Sequence, residues 1–111
     1  MSTGDIRITE VFHLQADLCK SLADPKRLMI IHELRDKAKS VADLADSLSL
    51  KQSNTSQHLA VLRRAGIVVP QRQGNTVYYS LVTPKIATAC DIVREVIAEQ
   101  LEKSQTLMEV I

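Results

Sequence analysis

The sequence predicts a mainly α-helical domain spanning residues 1–111, with four helices, then a β-hairpin, then one long helix. Three observations predict it. Apolar residues recur at helical spacing through most of the chain. Between 67 and 81 the pattern changes to β-branched and aromatic runs around a polar turn. Residues that favour helix ends stand between the periodic segments.

In the first helix, 9–22, Val11, Leu14, Leu18 and Leu22 form one stripe. Phe12, Ala16, Cys19 and Ala23 form a second beside it, so the helix is expected to be covered on two sides. Asp24-Pro25 reads as an N-cap and first helical position. Leu28, Ile31 and Leu34 carry the second helix to about residue 35, and the polar run 36–39 reads as a connector. Ser40 with Asp43 resembles a capping box for a short third helix bearing Val41, Leu44, Ala45 and Leu48. After the brief turn at 49–51, a fourth helix runs to Ala65, with Leu59 and Leu62 facing inward and Gly66 as its stop.

Residues 67–69 and 76–81 read as strands, joined by a turn that holds Gly74. Thr83-Pro84 then opens the last helix, whose apolar stripe is Ile86, Ala89, Cys90, Val93, Val96, Ile97 and Leu101, extending toward Leu107 and Met108. Two short helices joined by a tight turn form a helix-turn-helix, 40–65, and the hairpin at 67–81 is its wing. The expected architecture is therefore a winged helix-turn-helix in the order α-α-α-α-β-β-α.

Net charge is only +1, but its distribution is uneven. Residues 1–50 hold seven Lys/Arg and eight Asp/Glu, and 80–111 hold three and five. Residues 51–79 hold Lys51, Arg63, Arg64 and Arg72 and no carboxylate. Such a segment suits a polyanion. The fourth helix opens Gln52-Ser53-Asn54-Thr55-Ser56-Gln57-His58. These side chains carry donors and acceptors, as base-pair edges in the major groove do. They are middling helix formers, so stability alone does not explain seven in a row. Arg63 and Arg64 at the far end, with Arg72, Gln73 and Asn75 on the wing, suit phosphate or groove contacts. The expected partner is a double-stranded DNA operator. A winged-helix protein-interaction module is the rival from another class, and it calls for more exposed apolar anchors on this face.

The segments SLADPKRLMIIHEL (21–34), SVADLADSLSLKQSNTSQHLAVLRRAGIV (40–68) and RQGNTVYYSL (72–81), with the long helix after them, resemble the ArsR/SmtB family of winged helix-turn-helix repressors. The resemblance implies a homodimer built from the first and last helices, 9–22 and 84–108. It also implies a small inducer that releases DNA. A final helix of about 25 residues, about 37 Å long, agrees, because a small globule cannot cover it alone.

The chain departs from the family's metal sensors. Val41-Ala42-Asp43 stand where arsenical and cadmium sensors have Cys-x-Cys. Thr83 and Lys85 stand at zinc-ligand positions, and no His follows His58. No metal site or cofactor is expected from these motifs. Lys51 stands where a Ser often opens the recognition helix.

Cys19 and Cys90 leave three readings open: small buried core residues, a thiol switch for oxidants or reactive sulfur, or a soft metal or metalloid site. Family members that sense persulfides place one Cys on the second helix, near His32 here. His13 is available to assist a metal but reads as an exposed helix residue.

The chain has no P-loop, no GxGxxG, no CxxC and no nucleophile–base constellation, so an enzyme is not expected. No apolar run approaches about 18 residues, and Met1–Glu10 lacks the apolar stretch of a secretory signal. The expected location is the cytoplasm, where both thiols are reduced most of the time.

Overall fold

The computed structural model describes residues 7–110, with side chains to residue 105. The element order is α1 (Ile8–Leu22), α2 (Pro25–Glu33), β1 (Lys39–Ser40), α3 (Val41–Leu48), α4 (Gln52–Arg64), β2 (Val68–Gln73), β3 (Thr76–Leu81) and α5 (Pro84–Val110).

Local chemistry sets the boundaries. Asp24 Oδ1 accepts the backbone N–H groups of Lys26 and Arg27 at 2.8 and 3.2 Å, with Pro25 preset for the first helical turn of α2. Ser40 Oγ accepts the N–H of Asp43 at 3.1 Å and so caps α3. Ser49 adopts a left-handed conformation, φ 55°, which turns the chain sharply between α3 and α4. Gly66, φ 76°, closes α4: its N–H bonds Arg63 O, and Ile67 N–H bonds Leu62 O at 2.9 Å. This paired closure is a Schellman motif, with Ile67 and Leu62 both buried beside it.

The core gathers Ile30, Ile31 and Leu34 from α2, Leu44 from α3, Leu59 and Leu62 from α4, then Ile67 and Val68. All are aliphatic, and each such side chain contributes roughly 2 kcal/mol on full burial. Leu18 and Leu22 of α1 and Ile86 and Cys90 of α5 pack against this cluster. Arg35, just beyond α2, holds Asp91 of α5 through both guanidinium nitrogens, and Arg94 bonds the same carboxylate at 2.9 Å.

The sheet has the order β1-β3-β2 and is antiparallel throughout. Segment 36–39 therefore is not wholly a connector: Lys39 and Ser40 pair with Tyr79 and Tyr78 of the wing. The reason is tertiary, since a two-residue strand exists only where a neighbour offers its edge. The hairpin turn is Gly74-Asn75, with positive φ at Gly74 alone, as a type II′ turn requires.

The outer stripes of the two long helices remain uncovered in the single chain. Ile8, Val11, Phe12 and Leu14 of α1 are exposed, as are Val93, Val96, Ile97 and Leu101 of α5. The side chains of Leu107 and Met108, expected to continue the stripe, lie outside the described residues, as do residues 1–6. Among the described residues no helix is long and apolar enough to cross a membrane.

Candidate nucleic-acid interface

Helix α4 divides along its length into two faces. Thr55, Leu59 and Leu62, spaced by four and three, face the core. Gln52, Ser53, Ser56, Gln57, Ala60, Arg63 and Arg64 are exposed, at positions that trace one continuous side of a helix. Neutral hydrogen-bonding groups thus occupy its start, and two guanidiniums lie about 16 Å further along. Lys51 occupies the N-cap and makes no side-chain cap. The first N–H groups of α4 are therefore left to an outside acceptor at the positive end of the helix dipole.

One assignment needs correcting. Thr55 is 0% exposed, and its hydroxyl donates to Lys51 O at 2.9 Å. It belongs to the core and cannot touch a base. Asn54 and His58 are half-buried, and the His58 ring turns back toward α2, with Nδ1 3.4 Å from an Arg27 nitrogen. Lys51, Gln52, Ser53, Ser56, Gln57, Arg63 and Arg64 are exposed, as are Arg72, Gln73 and Asn75 of the wing. None of the four cations among these forms an ion pair among the described residues.

The two thiols stand apart in character. Cys19 is exposed on α1, whereas Cys90 is half-buried against the core. Burial pushes the Cys90 thiol up; Arg94 opposes the shift and Asp91 adds to it. Among the described residues no group of three or more His, Cys, Asp or Glu is placed to hold a metal ion. A shallow hollow of about 330 Å³ between α2, α3 and α5 is lined by Leu28, Met29, His32, Glu33, Leu48 and Arg94. Its polar groups are already engaged: His32 with Arg35, Glu33 with Lys39 and Arg94 with Asp91.

The family described as "Bacterial regulatory protein, arsR family" matches residues 24–69, from the cap of α2 into β2. The chain is also 39% identical over 100 residues to Rv0081 of Mycobacterium tuberculosis, an uncharacterised HTH-type transcriptional regulator, covering 89% of this chain and 88% of that one. The chain belongs to the ArsR family. It is accordingly a DNA-binding transcriptional regulator of the ArsR/SmtB type, and not an enzyme.

The crystal structure of Rv0081 superposes with a TM-score of 0.75 over 84% of this chain and 94% of that one. A homodimeric winged helix-turn-helix domain of Mb0332 from Mycobacterium bovis, solved by NMR, gives 0.79 at 26% identity over 93% and 95%. The transcriptional repressor SmtB of M. tuberculosis is 36% identical over 78 residues, 70% of this chain and 58% of that one. The fold that the chain shares with these neighbours is the winged helix-turn-helix.

Proposed function

We propose that this ArsR-family chain is a homodimeric cytoplasmic repressor that reads double-stranded DNA through α4 and the wing. The observation that carries the reading is the outer face of α4: exposed, neutral and polar at its start, cationic at its end, and free of carboxylates. Gln52, Ser53, Ser56 and Gln57 are assigned to base edges, with Asn54 at their margin. Lys51, Arg63, Arg64 and Arg72 are assigned to phosphates, and Gln73 and Asn75 to the groove beside the wing. The exposed stripes of α1 and α5 form the dimer surface, which presents two recognition helices to successive major grooves about 34 Å apart. The name of the SmtB relative supports repression as the sign of regulation. A protein-binding module with no DNA activity is disfavoured by the lack of large apolar side chains on the outer face of α4.

Fluorescence anisotropy on a duplex from the gene's own upstream region tests the reading. Eight phosphates neutralised by the dimer give a slope of log K against log salt near about −7. A slope near zero refutes it. Transcription from that promoter must fall when the protein is added; a rise would make the protein an activator.

We propose further that a small inducer releases the DNA through Cys19 and Cys90, by oxidation or reactive sulfur. The accessible Cys19 thiol is the natural attacking group, since burial holds Cys90 protonated. Cys19→Ser and Cys90→Ser are expected to bind DNA normally and to resist release by disulfide or persulfide donors. A mass spectrum of the treated native dimer reads the adduct. A metal adduct in place of a sulfur one would favour a soft metal or metalloid sensor, and release undiminished in both variants would leave Cys90 a packing residue and Cys19 without a regulatory role.

A further inference from the structure

The Arg27 side chain joins three helices at the back of the recognition element. It projects from the first turn of α2, where the Asp24 cap anchors its own backbone N–H at 3.2 Å. Its Nε donates to Ser21 O at 2.7 Å, and Nη2 reaches Lys20 O at 3.5 Å. Both carbonyls belong to the last turn of α1, at the negative end of that helix; Lys20 O also accepts the Ala23 N–H at 3.1 Å, so Ser21 O is the firmer anchor. A guanidinium is planar, so fixing these two nitrogens fixes the direction of the third. That third, Nη1, lies 3.4 Å from His58 Nδ1 on α4, immediately after the polar tip.

The surroundings reinforce the link. Partial desolvation raises the Asp24 carboxyl, but the Arg27 and Lys26 N–H groups outweigh it, and the positive charge of the Arg27 guanidinium adds to them. The net shift is downward, so Asp24 stays ionised beside Arg27 and His58. Arg27 itself is half-buried and forms no ion pair among the described residues. A residue needed only for packing would not require a fork of donors there.

From this geometry we infer that Arg27 is a positioning residue, which ties the pose of the recognition helix to the end of α1. The inference rests on α4 being the DNA-reading helix. It assigns His58 to a role behind the interface instead of on it. Because the uncovered face of α1 belongs to the proposed dimer surface, a shift of α1 pulls on the Lys20 and Ser21 carbonyls and turns α4 through Arg27.

The test uses Arg27→Gln and Arg27→Lys in the full chain, on operator duplex and on an unrelated duplex of equal length. Arg27→Gln is expected to weaken operator binding about tenfold, the scale of one hydrogen bond to a charged group. Binding to the unrelated duplex and the salt slope should not change, because Arg27 touches no phosphate. Arg27→Lys keeps the charge but not the fork, and is expected to lose as much. In the free protein, amide exchange at 52–58 should quicken in both variants. Wild-type operator affinity in Arg27→Gln, full recovery in Arg27→Lys, or a slope reduced by about two per dimer would overturn the inference. If Arg27→Gln fails to fold, Arg27→Lys decides on the same readings. If the wild type binds no operator, the DNA reading of α4 fails, while the exchange comparison still judges the Arg27 link.

Discussion

Thr55 marks the limit of residue-level composition. As one of seven consecutive polar residues it matches a base-reading surface, yet it lies fully buried with its hydroxyl on Lys51 O. Polarity says what a side chain can bond, not where it points. The periodic signal was present, since Thr55, Leu59 and Leu62 follow the spacing of an inward stripe. Asp91 shows the opposite case, where a partner 56 positions away sets a residue's behaviour. Hydrogen bonding from Arg35 comes first among the causes that hold the Asp91 carboxyl at about 2, against an ordinary 3.8; partial desolvation opposes it, and Arg94 assists. A folded-state value below the ordinary one stabilises the fold above that ordinary value, and the contribution disappears as pH falls through 3.8 toward 2. Acid titration of unfolding should therefore show a limb in this window that Asp91→Asn lacks. Identical acid limbs in both proteins would mean the bridge contributes nothing.

At the scale of elements, the helices and the wing were legible from their apolar periods, sharpened where a boundary carries its own chemistry. Asp24-Pro25, Ser40 and Gly66 stop or start their helices where the apolar period predicts. β1 was not legible. Two residues cannot display alternation, and their pairing exists only because Tyr78 and Tyr79 arrive from 38 and 40 positions further along. The outer face of α4 and the wing tip divide the proposed labour. Arg72→Ala should weaken binding to every duplex and reduce the salt slope by about two for a dimer. Gln57→Ala should leave the slope alone and relax preference at one base position by roughly 1–3 kcal/mol. A competition series over operator variants separates the two, and equal losses on all sequences from both changes would contradict the division.

The whole molecule is drawn out to 60 Å by α5, whose 27 residues run about 40 Å. One edge of α5 is spent on its own core through Ile86 and Cys90, and the Val93, Val96, Ile97 and Leu101 edge is left bare. Val96→Glu should halve the mass seen by light scattering at micromolar protein and cut operator affinity with it. A wild-type chain that runs as a monomer would remove the dimer from the account. Both the long helix and its stripe were legible in sequence, whereas the pose of α4 was not, because it depends on Arg27 meeting carbonyls of another helix. Ser40 carries a consequence of its own. Its hydroxyl begins α3 while its backbone is laced to Tyr78, so one residue fastens the hairpin to the helix pair. The reading head is thereby preorganised: the hairpin gives up its freedom during folding, and little conformational entropy remains to be lost when it meets a duplex.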